Sequence, residues 1–258
     1  MTRRHVAFDC ADERLAATLD DAPGTCALLI VSGGNEVRAG AWNGQARIAA
    51  QVAAQGYPVL RFDRRGIGDS TGQNRGFRHS AEDIAAAVQA LRTQAPQVQR
   101  VIGLGNCDAA SALMLAKGAG LDGLVLSNPW TIEGPDEEAP AEVVRDHYRR
   151  RLGDPAAIRR LLTGKVSLIK LAHSLMSAVR PAPSQPAGLA AEIAQGVASF
   201  AGPIRFLIAG RDRTGLAFLA RWDKSDERIR ICPNASHSYV EPDAQDWLLG
   251  EILALLRA

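Results

Sequence analysis

At 258 residues the chain is long enough for one large domain with a full core, and no second folding unit is required. Its 47% hydrophobic and 22% charged residues exclude the disordered and fibrous classes. Thirty basic residues against 28 acidic ones leave a net charge of +2, too weak a field to gather nucleic acid or an anionic membrane, so a small neutral or modestly anionic molecule is the expected partner.

The first forty residues read as strands. "RHVAFDC" and "RLAATLD" are short runs expected to pair as a hairpin, and "CALLIVSGG" is a buried-strand run ending in glycines. "AWNGQARIAAQVAAQG" then predicts a helix stopped by Gly56, and "YPVLRFDRRG" the next strand. "SAEDIAAAVQALRTQ" is a second helix, with Ser80 and Asp83 at favourable N-terminal positions. Further on, "QRVIGLG", a helix over 108–118 and "LDGLVLSNPW" continue the alternation. "GPIRFLIAGRD" and "RIRICPNASH" are the last two strands, and "DAQDWLLGEILALLRA" is a closing amphipathic helix. Strands separated by helices predict right-handed crossovers and a mainly parallel central sheet flanked by helices on both faces.

That rhythm breaks once. Some 70 residues from Trp130 to Gly202 carry helical patterns and the proline-rich string "PAPSQPAG", with no convincing strand, which is too long for a plain crossover. The expected organisation is a core over 1–129 and 203–258, interrupted by a helical cap over 130–202.

The four cysteines, Cys10, Cys26, Cys107 and Cys232, are widely spaced without a CxxC pair, so neither a metal site nor a disulfide framework is expected. The early arginines precede no continuous apolar segment, and nowhere do about 18 apolar residues follow one another. A cytoplasmic protein with reduced thiols and no stable membrane insertion is the expectation.

Chemistry concentrates at the ends of the predicted strands. "VIGLGNCDAAS" runs a strand through a tight turn into a helix, with Cys107 at the turn and only Gly105 and Ala109 two residues to either side. Such a turn holds a nucleophile in strained backbone and needs very small neighbours so that helix and strand can approach. The helix behind Cys107 aims its amides at the sulfur, which favours thiolate, and the Asp108 amide would face a developing oxyanion. A second oxyanion donor is expected from the loop after "CALLIVSGG", with Gly34 first and Asn35 second. His237 follows the last strand in "CPNASHSY" and is the expected base, while Asp212 in "FLIAGRDRTG" is the expected acid that orients it. The order nucleophile, acid, base is thus Cys107, Asp212, His237. A lone cysteine would read as one more buried thiol, but Gly105, the preceding strand and the following helix favour a nucleophile at Cys107; a helix cap or loop turn is the lesser reading of Asp212, and the common order strengthens catalysis. Trp130, His147 and Tyr148 are expected to line a substrate pocket. "DRRGIGDS" lacks the lysine and glycine spacing of a phosphate loop, so its charges are expected to tie down a loop beside the site.

"FDRRGIGDS", "GNCDA", "AGRDRT" and "NASHSY", in this order, resemble the α/β-hydrolase superfamily across nearly the whole chain. More narrowly, "SNPW", "HYRRRL", "LLTGKVSL" and "GRDRTGLAF" resemble the first of the two hydrolases associated with the bacterial exosortase A system. The resemblance implies an α/β-hydrolase fold with an inserted helical cap, a triad of Cys107, Asp212 and His237, and oxyanion amides at Asp108 and near Gly34. Cysteine stands where the superfamily has serine, as it does in dienelactone hydrolases and polyhydroxyalkanoate synthases, and Ala109 replaces a usual glycine. The expected activity is attack on an ester, thioester or lactone through an acyl-cysteine, without metal or cofactor. Transfer to an acyl acceptor or carrier is the alternative within the same chemistry, and a non-catalytic ligand- or partner-binding scaffold is the alternative outside it.

Overall fold

Cys10 and Glu13 face each other across a two-residue turn, so the first two strands, β1 (Thr2–Cys10) and β2 (Glu13–Asp21), form the expected antiparallel hairpin. The computed structural model describes residues 2–133 and 188–258. β3 (Cys26–Val31), β4 (Val59–Phe62), β5 (Arg100–Asn106), β6 (Gly123–Ser127), β7 (Ile204–Ala209) and β8 (Ile229–Cys232) complete an eight-stranded sheet of order β1-β2-β4-β3-β5-β6-β7-β8. β2 runs antiparallel to both neighbours, and all remaining pairings are parallel.

The period-2 alternation of the central strands decides what each face buries. Ala27, Leu29 and Val31 of β3, with Val101 of β5 and Phe206 and Ile208 of β7, point to one face. There they meet Ile84, Val88 and Leu91 of helix α2 (Ala81–Gln94), and Ala109 and Leu113 of α3 (Asp108–Leu115). Leu28, Ile30, Ile102, Leu104 and Leu207 point the other way. They pack against Ile48 and Val52 of α1 (Gly44–Ala54) and Ile252 and Leu256 of α6 (Pro242–Arg257). Strands buried on both faces read as continuous apolar runs, which is why "CALLIV" and "GLVLS" carry no alternation in sequence.

Two further helices are α4 (Leu189–Ala198) and α5 (Arg213–Arg221). α4 falls within the expected cap insertion, yet its Leu189, Ile193 and Val197 enter the main core beside α3. Gly196 lets the α4 backbone come against Met114, since a side chain there would collide with the Met114 carbonyl. The rest of the expected cap lies outside the described residues, as do His147 and Tyr148. At α2 both residues take the expected N-terminal positions, Ser80 as N-cap and Asp83 in the first turn, but neither caps the helix through its side chain. Ser80 instead accepts from Arg64 at 3.1 Å, while Asp83 is drawn away to Arg65 at 2.7 Å. Charged partners outbid the backbone amides for these two side chains. Among the described residues no helix is long and apolar enough to cross a membrane.

Candidate active site

Because β3 and β5 to β8 are parallel, the loops leaving them meet along one edge of the sheet, where such folds place their ligands. Cys107 leaves β5, Asp212 leaves β7 and His237 leaves β8, and the sheet gathers all three.

Cys107 is the sharp turn. Its backbone sits at φ 62°, ψ −126°, a region that non-glycine residues enter at a cost of roughly 1–3 kcal/mol. Three features hold it there. The Cys107 amide donates to the Ser127 carbonyl at 2.9 Å, and the Cys107 carbonyl accepts from the Trp130 amide at 3.3 Å. The third is Gly105, where an added Cβ would lie 2.6 Å from the Ala109 carbonyl carbon, so α3 is seated directly on β5.

Asp212 meets both the start of a helix and the histidine. It is the N-cap of α5, accepting from the amides of Thr214 at 3.2 Å and Gly215 at 3.1 Å. The same carboxylate lies 2.9 Å from His237 Nδ1. Asp212 is buried, so this hydrogen bond is poorly screened. The bond to Asp212, and then the bond to Cys107, push the His237 pKa up from 6.5 to about 10 against the opposing effect of burial. His237 is therefore an imidazolium at neutral pH, held between a carboxylate and the cysteine sulfur.

The loop after β3 differs from expectation in one respect. The Gly34 amide does not face open space but donates to Asp108 Oδ1 at 2.6 Å. Asn35 is exposed, its side-chain carbonyl accepts from Asn74 Nδ2 at 3.0 Å, and no acceptor meets its amide among the described residues. The Asp108 amide at the start of α3 is likewise unengaged there. Trp130 is half-buried against the main core and donates its indole N–H to the Ile132 carbonyl at 2.6 Å, while its amide on the Cys107 carbonyl and its own carbonyl, which accepts from Ser111 Oγ at 2.7 Å, fix its backbone beside the elbow.

Sequence reasoning missed the polar floor beneath His237. Asn128, fully buried at the end of β6, accepts from the Ala209 amide at 2.8 Å and donates to Asn106 Oδ1 at 3.0 Å. Asn106 in turn donates to the His237 carbonyl at 3.2 Å. Ser127 and Tyr239 pair at 3.0 Å beside them. The available signal was polar "SN" and "N" at the ends of otherwise apolar strands. Behind this floor a cavity of about 90 Å³ opens between the sheet and α1, bounded by Trp42, Ile48, Leu104, Asn106 and Ser238. As expected, the "DRRGIGDS" charges tie down neighbouring loops: Asp63 holds the Arg38 guanidinium and the amide of Asp69, and Arg65 holds Asp83.

A model of the alpha/beta hydrolase family matches residues 28–250, which include the elbow, the acid and the histidine. The chain belongs to the alpha/beta hydrolase family. Solved structures share this hydrolase fold at low identity. An alpha/beta hydrolase, GrgF from Penicillium sp. sh18, superposes with TM-score 0.66 at 18% identity over 100% of this chain and 98% of its own. An esterase from Pyrococcus furiosus gives 0.62 at 16% identity over 99% and 91%. The thioesterase domain from the curacin biosynthetic pathway gives 0.57 at 14% over 98% and 100%. A comparison with curated proteins found no match.

Proposed function

We propose that this hydrolase-family chain cleaves an ester, thioester or lactone through an acyl-cysteine intermediate, with Cys107 as nucleophile, His237 as acid and base, and Asp212 as the group that orients His237. The observation that carries this reading is the placement of His237 between Asp212 and Cys107, which holds its proton at neutral pH.

His237 stands beside Cys107 to handle its proton, and a thiolate is the form of cysteine that attacks carbonyl carbon. In the first step the sulfur bonds to that carbon and the carbonyl π pair moves to oxygen, where amides of Asp108 and of the Gly34–Asn35 loop receive the negative charge. Collapse of this adduct breaks the bond to the leaving alcohol or thiol, and His237 gives it the proton. The product is a thioester on Cys107 beside a neutral imidazole. A water molecule, or an acceptor alcohol, amine or carrier thiol, then loses its proton to His237 as it attacks the thioester, and the acyl product leaves as Cys107 returns to thiolate. Activated acyl groups suit this chemistry best, because an amine leaves poorly relative to a thiolate. Esterase and thioesterase relatives of the fold support the substrate class, and the strings shared with the exosortase-associated hydrolases support the narrower family.

A silent binding scaffold has no use for a strained cysteine, an oriented histidine and a buried acid in one place, and this speaks for catalysis over binding alone. Turnover of short aryl esters and acyl thioesters by the intact chain, abolished in Cys107→Ala, is the expected outcome. Equal turnover by Cys107→Ala contradicts it.

A further inference from the structure

The side chain of Asp108, directly after Cys107, reaches the loop that follows β3. Its Oδ1 accepts the Gly34 amide at 2.6 Å, and its Oδ2 lies 3.8 Å from the Arg64 guanidinium. Arg64 is 4% exposed, donates to the Gly34 carbonyl at 2.6 Å and is anchored on Ser80 at 3.1 Å. The two charged groups thus grip Gly34 from its N–H and its C=O sides. Gly33 makes room for the grip, since a Cβ there would lie 2.7 Å from Asp108 Oδ1 and 2.8 Å from the Asn106 carbonyl oxygen. Gly34 itself needs its freedom for another reason: it sits at φ 55°, with open space where a Cβ would be.

A carboxylate on the Gly34 amide removes that amide from oxyanion binding. The next residue along the loop, Asn35, is exposed, its amide has no acceptor among the described residues, and its side chain is steadied by Asn74. We propose that Asp108 is a positioning residue whose carboxylate, backed by Arg64, pins Gly34 and hands the second oxyanion contact to the Asn35 amide. Asp108 then contributes twice, its amide touching the oxyanion and its side chain fixing the partner amide. Arg64 offsets the charge that the strut brings near the developing oxyanion. This proposal rests on the acyl-cysteine reading above.

The test measures two reactions of Cys107 in the same variants. Acylation by a p-nitrophenyl ester needs the oxyanion donors, whereas alkylation by iodoacetamide does not. In Asp108→Ala, acylation is expected to slow by about 10²-fold, the size of one lost oxyanion donor, with KM unchanged and alkylation within a few-fold of the parent. Asp108→Asn keeps an acceptor oxygen for the Gly34 amide and is expected to recover most of the rate, within about fivefold, as a neutral bond replaces a charged one. An Asp108→Ala variant that acylates as fast as the parent or faster overturns the proposal, because the carboxylate is then idle or obstructs the Gly34 donor. So does an Asp108→Asn variant as slow as Asp108→Ala, because charge and not the hydrogen bond is then what matters. If the parent Cys107 alkylates but accepts no acyl group from any ester or thioester, the acyl-cysteine reading itself fails, and that outcome is distinct from either variant result.

Discussion

Asp212 Oδ2 lies 2.9 Å from His237 Nδ1 and 3.1 Å from the Gly215 amide, so one buried carboxylate both starts α5 and fixes the histidine that faces Cys107. The helix cap makes the acid rigid, and a rigid acid holds the imidazole in one tautomer and one orientation.

Replacing Asp212 by Asn separates these roles. Asparagine caps helices as well as aspartate does, so the start of α5 is kept, and the stability lost near neutral pH should be that of the bond to His237, a loss that shrinks as pH rises toward 10. The turnover number should fall by about 10³- to 10⁴-fold, as the histidine loses its oriented partner. A turnover number within tenfold of the parent, roughly 1.4 kcal/mol of barrier, shows that the pair is structural only.

The strain at Cys107 gives a prediction on stability alone. Cys107→Ala and Cys107→Gly both remove the sulfur, but glycine tolerates φ 62° and alanine does not. Relief of strain outweighs the entropic penalty of glycine, so Cys107→Gly should unfold at higher denaturant than Cys107→Ala, by about 1 kcal/mol. Identical unfolding curves contradict a strained elbow.

The raised His237 pKa predicts how its contribution to stability varies with pH. Below 6.5 the histidine is charged in both folded and unfolded chains, and its bonds to Asp212 and Cys107 contribute in full. Between 6.5 and about 10 only the folded chain keeps the proton, so stability from this group declines as pH rises, and it is gone above about 10. The difference in unfolding free energy between the parent and His237→Gln should therefore shrink steadily across that window. A difference that grows with pH contradicts the assigned charge state.

Thiol labelling discriminates among the cysteines. Burial, the largest cause in each case, pushes the Cys10, Cys26 and Cys232 thiols up, while Cys107 faces the protonated His237. Brief iodoacetamide treatment at neutral pH followed by peptide mapping should find Cys107 modified first. Comparable labelling of Cys232, half-buried in β8, is the result that counts against Cys107 as the reactive nucleophile.

Much of this site was legible from local pattern. Gly105, Cys107 and Ala109 announce the turn because only very small residues let α3 sit on β5, and that constraint is local in sequence. The mainly parallel character of the sheet followed from alternation, since parallel strands need crossovers, but its strand order did not. What could not be read were partners brought together from distant segments. Nothing near Asp108 in sequence says that its carboxylate meets Gly34, 74 residues earlier. Asn128 looks like an ordinary strand end, and only the sheet brings it onto Asn106 and Ala209. Ser80 and Asp83 had the composition of a capping pair, but the arginines of "DRRG" compete for them from across a loop. α4 read as cap because its sequence neighbours did, and packing against Met114 drew it down onto the core.

The central claim is that acyl groups pass through the sulfur of Cys107. Mixing the intact chain with an acyl thioester, quenching in acid within the first turnovers and mapping the mass increase by peptide tests it most directly. A single acyl addition on Cys107, removed by neutral hydroxylamine as a thioester should be and lacking in Cys107→Ala, is the predicted result. Turnover without any adduct on Cys107, retained in Cys107→Ala, would contradict the account.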